Sequence, residues 1–157
     1  MKALLLYYSY GGNTRRVAEK IARETGADLC EIRTVHPYEG DYQTVVDQGQ
    51  EEIRRGFEPE LLPLEKDPGE YEVVILGTPV WWYTFAPAMR TLLHSIDWTG
   101  KRVYPFATNG GWIGHTFADF RKFCPGAQVE DGLNLRFDGA RLQTPEEKIS
   151  AWSRGIH

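Results

Sequence analysis

Cysteine is scarce in this chain: Cys30 and Cys124 are the only two in 157 residues, and neither stands in a Cys-x-x-Cys pair or a His/Cys cluster. A disulfide framework and a thiolate zinc site are thereby excluded as the organising principle, and buried thiols are the simpler expectation. Basic charge is not in excess either. With 18 Lys+Arg against 22 Asp+Glu the formal charge is -4 and the pI about 5.6, which argues against nucleic acid or an anionic membrane surface as the main partner. Long apolar runs are missing; no stretch reaches the roughly 18 residues that a membrane-spanning helix needs. Met1-Lys2 leads straight into the short run 3–8, too brief for a signal segment, so cytoplasmic residence is expected. There is no internal repeat, no low-complexity tract, no Gly-Lys-Ser/Thr phosphate loop and no Gly-x-Gly-x-x-Gly dinucleotide fingerprint.

What is present suits an ordinary core: 41% of residues are hydrophobic, enough for one domain over 1–157 without staples. Short apolar runs alternate with helical patterns, the signature of βαβ units around a parallel sheet. Residues 3–8 are apolar without alternation and read as a strand buried on both faces. Val17, Ala18, Ile21 and Ala22 then recur at helical spacing, with Gly26 placed to end the helix. Residues 27–35 suit a half-exposed edge strand. Residues 36–70 are polar, with a helix expected over about 41–55 and then three prolines, Pro59, Pro63 and Pro68. Residues 73–77 are the clearest buried strand, with 78–83 as a loop and a helix over about 87–95. The next strand, 103–107, contains Pro105, which removes a ladder donor. A loop at 108–112, a helix over about 114–123, a broken strand within 127–137 and a final helix over 145–153 complete a count of five strands.

In an open parallel sheet, ligands bind beyond the carboxyl ends of the strands, where the winding reverses. Three segments fall at such ends: 9–14, 78–83 and 108–112. Ser9-Tyr10-Gly11-Gly12-Asn13-Thr14 is rich in glycine and hydroxyls and opens a helix. Backbone N–H groups, the Ser9 and Thr14 hydroxyls and the helix dipole would together satisfy a phosphate without a cation. Arg15 and Arg16 in the first helical turn could reinforce phosphate binding, the alternative for at least one of them being an exposed place on a polar face. His94 and His115 have no partner pattern and receive no role.

Leu5-Leu6-Tyr7-Tyr8-Ser9, followed by Gly12, Thr14, Ala18 and Ile21 in register, resembles the signature of the flavodoxin-like family. Gly77-Thr78-Pro79-Val80-Trp81-Trp82-Tyr83 and Ala107-Thr108-Asn109-Gly110-Gly111-Trp112 resemble its second and third flavin loops, and the resemblance spans nearly the whole chain, weakest at 36–70. The resemblance implies a three-layer α/β/α fold around a five-stranded parallel sheet of order 2-1-3-4-5, with FMN as the cofactor. It implies that Ser9, Tyr10, Gly11, Gly12, Asn13 and Thr14 cradle the phosphate. Thr78, Pro79, Val80, Trp81, Trp82 and Tyr83, with Thr108, Asn109, Gly110, Gly111 and Trp112, then border the ring. A flavin needs a flat apolar slot, so Trp81, Trp82, Tyr83 and Trp112 are candidates to stack on it; the alternative for Trp81 and Trp82 is packing against a helix start. Gly110 and Gly111 would present amides to the pyrimidine end and N5. Asn109 bonds the ring edge or caps its own loop.

The function implied is electron transfer through non-covalent FMN to a redox partner protein. The alternative is an FMN-dependent NAD(P)H:quinone-type oxidoreductase, and a remoter one is a non-redox or phosphatase-like anion-binding module. Ser9-x5-Arg15 looks like the loop of low-molecular-weight phosphotyrosine phosphatases, but serine replaces the nucleophilic cysteine and the phosphocysteine chemistry is lost. A response regulator is excluded because no paired acids follow the first strand.

Overall fold

Ala3–Tyr7 (β1) is buried at all five positions, and its side chains divide by parity. Leu4 and Leu6 join one apolar cluster, while Ala3, Leu5 and Tyr7 join another on the opposite face. A strand covered on both faces has no reason to alternate, which is why the run is continuous. The same division holds in Val73–Trp81 (β3), where Val74 and Leu76 face one cluster and Val73 and Ile75 the other. These two strands are the central pair of a computed structural model that describes residues 2–157.

The remaining elements cover the two faces. Asn13–Thr25 (α1) buries Thr14, Val17, Ala18 and Ile21 and ends at Gly26, whose φ of 74° and N–H bond to the Ala22 carbonyl (2.9 Å) close the helix. It packs with Glu146–Arg154 (α5) over the cluster of Leu5, Ile75, Phe106 and Ile149. Pro87–His94 (α3) and Thr116–Phe123 (α4) cover the other face through Met89, Leu92, Leu93 and Phe120. Tyr42–Arg54 (α2) lies against α3 and β3, its N-terminus capped by the Asp41 carboxylate accepting from the Thr44 N–H at 2.8 Å. Both cysteines are buried, and burial pushes the Cys124 thiol up to about 12, so it is an inert apolar group.

Asp28–Glu31 (β2) forms one edge of the sheet, and Arg102–Asn109 (β5) lies on the other side of β3. The parallel winding is the expected 2-1-3-4-5, but the strand count differs: the described residues form eight strands, not five. The fifth position is split into Gln128–Val129 (β6) and Leu133–Asp138 (β7), both parallel to β5. Two short antiparallel strands are added at the ends, Thr84–Phe85 (β4) on β3 and Arg141–Leu142 (β8) on β7. Two-residue strands leave no periodic pattern, so sequence alone does not announce them.

The split explains Pro105. Arg102 donates its N–H to Glu72 on the β3 side, whereas the Val103 carbonyl accepts from Glu130 on the other. Parity therefore turns the Pro105 nitrogen toward residues 130–132, where the edge is broken between β6 and β7. The missing donor falls where the ladder has no partner to lose.

Gly77 is fixed by its neighbour across β3 and β5. Its register partner is Phe106, and a Cβ at Gly77 would lie 2.1 Å from the Phe106 Cζ. The ring fills the volume that the glycine leaves.

Candidate functional site

The turn between β1 and α1 is shaped by two left-handed glycines, Gly11 (φ 83°) and Gly12 (φ 98°), with nothing within 4 Å of the position a Cβ would take at either. An L side chain is disfavoured at such φ values. The Ser9 hydroxyl accepts from the Arg15 N–H at 3.1 Å and so anchors the first helical turn. Among the described residues, the backbone N–H groups of residues 10–14 make no hydrogen bond to the protein. A run of unpartnered amides at the start of a 13-residue helix leaves donors free beside the positive end of the helix dipole, the chemistry that an anion site requires.

The side chains around the cradle hold it in place more than they line it. Thr14 and Thr108 share a buried hydroxyl–hydroxyl bond of 2.8 Å, which ties the first segment to the end of β5. Asn13 donates to the Gly139 carbonyl (2.9 Å) and Arg16 to the Ala140 carbonyl (3.1 Å), so both reach the β7–β8 turn. Arg15 is engaged by Glu31 (3.0 Å) and the Tyr7 hydroxyl (3.3 Å).

The second segment is not a loop throughout. β3 runs on through Thr78, Pro79, Val80 and Trp81, and Trp82-Tyr83 alone form the turn into β4. Thr78 is fully buried, its hydroxyl donating to the Pro79 carbonyl (2.9 Å) and accepting from the Ala86 N–H (3.1 Å). Trp82 (φ 48°) and Tyr83 (φ 73°) are the two non-glycine residues at positive φ among those described. A two-residue hairpin turn demands such values and is normally filled by Asn-Gly, so aromatic rings here carry backbone strain of about 1–2 kcal/mol each. Strain of this kind persists where the surroundings over-determine it.

Those surroundings are specific. Trp82 Nε1 donates to the Val46 carbonyl at 3.1 Å, pinning the turn to α2. The His115 backbone N–H donates to the Tyr83 carbonyl at 2.8 Å, and Gly114 lies so close that a Cβ there would be 2.3 Å from that oxygen. Thr84 donates to Asp119 Oδ2 (2.5 Å), which also meets His115 Nδ1 (2.5 Å). His115 is thus a positioning residue that sequence reading missed, because only the hairpin brings it near Tyr83. His94, which lines one cavity with His115, is stacked on Phe123 and bonded to Glu58.

Trp81 joins Tyr8, Tyr10 and Tyr38 in an edge-to-face cluster with centroids 5.0–6.0 Å from its own. Burial and the Tyr38 bond to Glu52 (2.6 Å) raise the Tyr38 hydroxyl far above its ordinary range, so it stays neutral. Tyr83 meets Trp112 of the third segment at 4.6 Å, and both rings are exposed, at 44% and 66%. Val80, Trp82, Tyr83, Gly110, Gly111 and Trp112 line a shallow cavity of about 410 Å³ between the two strand ends. Asn109 Oδ1 accepts from the Gly111 N–H (2.9 Å) and its Nδ2 donates to Asn134 (2.6 Å). Asn109 caps its own loop, and the Gly111 amide is spent on it. Arg136 on β7 reaches within 3.8 Å of the position a Gly111 Cβ would take and has no acidic partner among the described residues. It is the register partner of Asn109 across β5 and β7.

Among the described residues no helix is long and apolar enough to cross a membrane, and no three metal-ligating side chains converge. The sequence pattern of the flavodoxin family matches residues 2–154. A solved protein from Bacteroides eggerthii, assigned as a flavoprotein, is 31% identical with a TM-score of 0.82, covering 99% of this chain and 97% of its own. A flavoprotein from Lactobacillus acidophilus, solved in complex with FMN, is 25% identical with a TM-score of 0.77, covering 97% and 98% of the two chains. A flavodoxin from the domain Archaea shares the fold at 20% identity and a TM-score of 0.54, covering 98% and 92%. No protein of curated function matches the chain.

Proposed function

Because the chain belongs to the flavodoxin family, we propose that it binds FMN non-covalently and transfers electrons through it to a redox partner. The observation that carries this reading is the run of unpartnered amides at residues 10–14, set beside two strand-end segments that carry aromatic rings. The cradle fits a phosphate: its donors are backbone groups, no acidic side chain bonds into it, and the two glycines leave open space. The exposed faces of Tyr83 and Trp112, with Val80 and Trp82 behind them, fit a planar ring. When bound, FMN supplies one- and two-electron chemistry that no side chain of this protein offers.

In this reading Gly11, Gly12, Asn13 and Thr14 hold the phosphate through their N–H groups, with Ser9 and Thr108 fixing the turn. The Gly110 N–H, which has no protein partner, is the amide left to meet the ring edge. Arg136 places positive charge near that edge, where it would favour a reduced, anionic cofactor. Tyr83 and Trp112 exclude water from the exposed side.

Tyr83→Gly separates the turn's two roles. Relief of the left-handed backbone offsets the lost ring contact, so stability should change by less than about 1 kcal/mol. FMN affinity should nevertheless fall about tenfold, the loss of one aromatic stacking partner. Denaturant melts and flavin-fluorescence titrations of the same samples read both.

Anaerobic mixing of the FMN-loaded protein with NADPH or NADH tests the electron-transfer role. A carrier reduced by a partner protein leaves the visible flavin absorbance unbleached over minutes. Rapid bleaching would overturn the carrier reading in favour of a nicotinamide-dependent oxidoreductase.

A further inference from the structure

A second cavity, of about 530 Å³, opens where the last turn of α2 faces α3 and α4, with β4 along one side. It shares no lining residue with the cavity between the strand ends, and none of its residues belongs to the segments 9–14, 78–83 and 108–112. Its walls are largely apolar, through Ile53, Phe57, Phe85, Pro87 and Phe123.

The charged groups around this cavity are unevenly committed. Both carboxylates that line it are taken up by the protein. Glu52 accepts from the Tyr38 hydroxyl (2.6 Å) and from Gln48 (2.8 Å), and Asp119 accepts from Thr84 (2.5 Å) and meets His115 (2.5 Å). The carbonyls at the end of α2 are taken up too, that of Glu52 by the Phe57 N–H and that of Ile53 by the Gly56 N–H. His94 and His115 also line the cavity, each with Nδ1 on a carboxylate. The two full cations are less engaged. Lys122 makes no hydrogen bond or ion pair among the described residues. Arg90 bonds through Nε alone, to Glu58 at 3.3 Å, so its terminal nitrogens are left without a hydrogen-bonding partner. Its guanidinium nevertheless has a definite place. Cζ stands 4.8 Å over the Phe123 ring, while Nη2, Cζ and Nε lie 3.4–3.8 Å from the position a Gly56 Cβ would take. Phe123 and Gly56 both line the cavity, so the group is held by its faces between two of the walls. A planar fork with unspent N–H groups matches a carboxylate, and a second cation strengthens that preference. Phenyl walls match a ring. A simple inorganic anion would leave the walls unused, and a neutral ring would leave the cations unused.

We propose that the cavity between α2, α3 and α4 binds a small aromatic carboxylate, with the carboxylate on the Arg90 guanidinium, Lys122 as the second cation and the ring against Phe57, Phe85 and Phe123. The site does not depend on the FMN reading, because the two share no residue. A protein that holds FMN therefore has room for both ligands at once.

Calorimetric titration with 2-naphthoate, on protein with and without FMN, tests the site. One equivalent should bind with a Kd of about 0.1 mM, an ordinary efficiency for a ligand of this size. The corresponding alcohol and amine, 2-naphthalenemethanol and 2-naphthylmethylamine, keep the ring and remove or reverse the charge; both should bind at least tenfold more weakly. Arg90→Gln and Lys122→Gln should each weaken naphthoate about tenfold, the worth of one charge-assisted contact. Arg121→Gln alters a neighbouring cation of α4 that is paired with Asp131 and does not line the cavity, and should leave the affinity within about twofold. Lys122 is exposed, so its variant serves if Arg90→Gln does not fold. Absence of saturable heat, equal binding of the alcohol or the amine, or naphthoate affinity unchanged in both variants overturns the proposal. Displacement of naphthoate by FMN overturns it too, because the ligand would then lie in the flavin slot. Protein that binds naphthoate but takes up no FMN would sink the FMN reading and leave this one standing.

Discussion

Replacing Gly77 by valine is expected to destabilise the protein by about 3 kcal/mol or more, the upper range for overpacking a filled core. The substitution suits the local backbone, since β-branched residues favour strands and Gly77 does not occupy the left-handed region. All of the cost comes from volume: the Phe106 ring lies where the new side chain must go, and a Cβ alone would approach its Cζ to 2.1 Å. Both residues sit on the α1/α5 side of β3 and β5, where Ile75 and Leu135 leave no room to retreat. Urea melts of the single variant should show a lower midpoint with the slope unchanged. The double variant Gly77→Val/Phe106→Ala exchanges one volume for the other and should recover part of the loss. Additive effects in that cycle would mean that the two residues do not share the space.

Gly12→Asp is expected to lower FMN affinity about 100-fold or more, roughly 3 kcal/mol, while leaving the protein folded. Two physical effects combine. Aspartate is disfavoured at a φ of 98°, and its carboxylate would stand at the helix N-terminus among the amides proposed to receive the phosphate. The carboxylate would occupy the donors itself and repel the incoming anion. Gly12→Ala carries the backbone effect without the charge and should cost about tenfold. Riboflavin has no phosphate, so its affinity should respond to both variants alike. If Gly12→Asp and Gly12→Ala weaken FMN equally, charge at this turn does not govern binding.

The parts of the fold that sequence reading reached were those where a local rule and the tertiary environment agree. β1 and β3 are continuous apolar runs because helices cover both of their faces. The turn at Gly11-Gly12 is readable because its φ values leave few other residues to choose from. The hairpin was hidden for the opposite reason: Trp82-Tyr83 occupies a turn that propensity assigns to Asn-Gly, and β4 is two residues long. Its strain is held by groups distant in sequence, the Val46 carbonyl and the His115 N–H, which no local pattern connects to it. The same applies to the Thr14–Thr108 bond, which joins residues 94 positions apart. Asn109 had two equal readings from sequence, and its bond to Asn134 on the neighbouring strand is one that no local pattern announces. Residues 36–70, polar and interrupted by proline, gave little, yet α2 within them supplies one wall of the second cavity. A glycine in mid-helix, Gly49, was the one local sign that something large packs on that helix.

The central claim is that the amides of residues 10–14 hold the phosphate of FMN. Titration of the FMN-free protein with FMN, followed by flavin fluorescence and repeated with riboflavin, tests it most directly. The account predicts saturation at one equivalent, with FMN bound about 100-fold tighter than riboflavin, the worth of several charge-assisted hydrogen bonds. Equal affinity for the two flavins, or no saturable change with either, would contradict it.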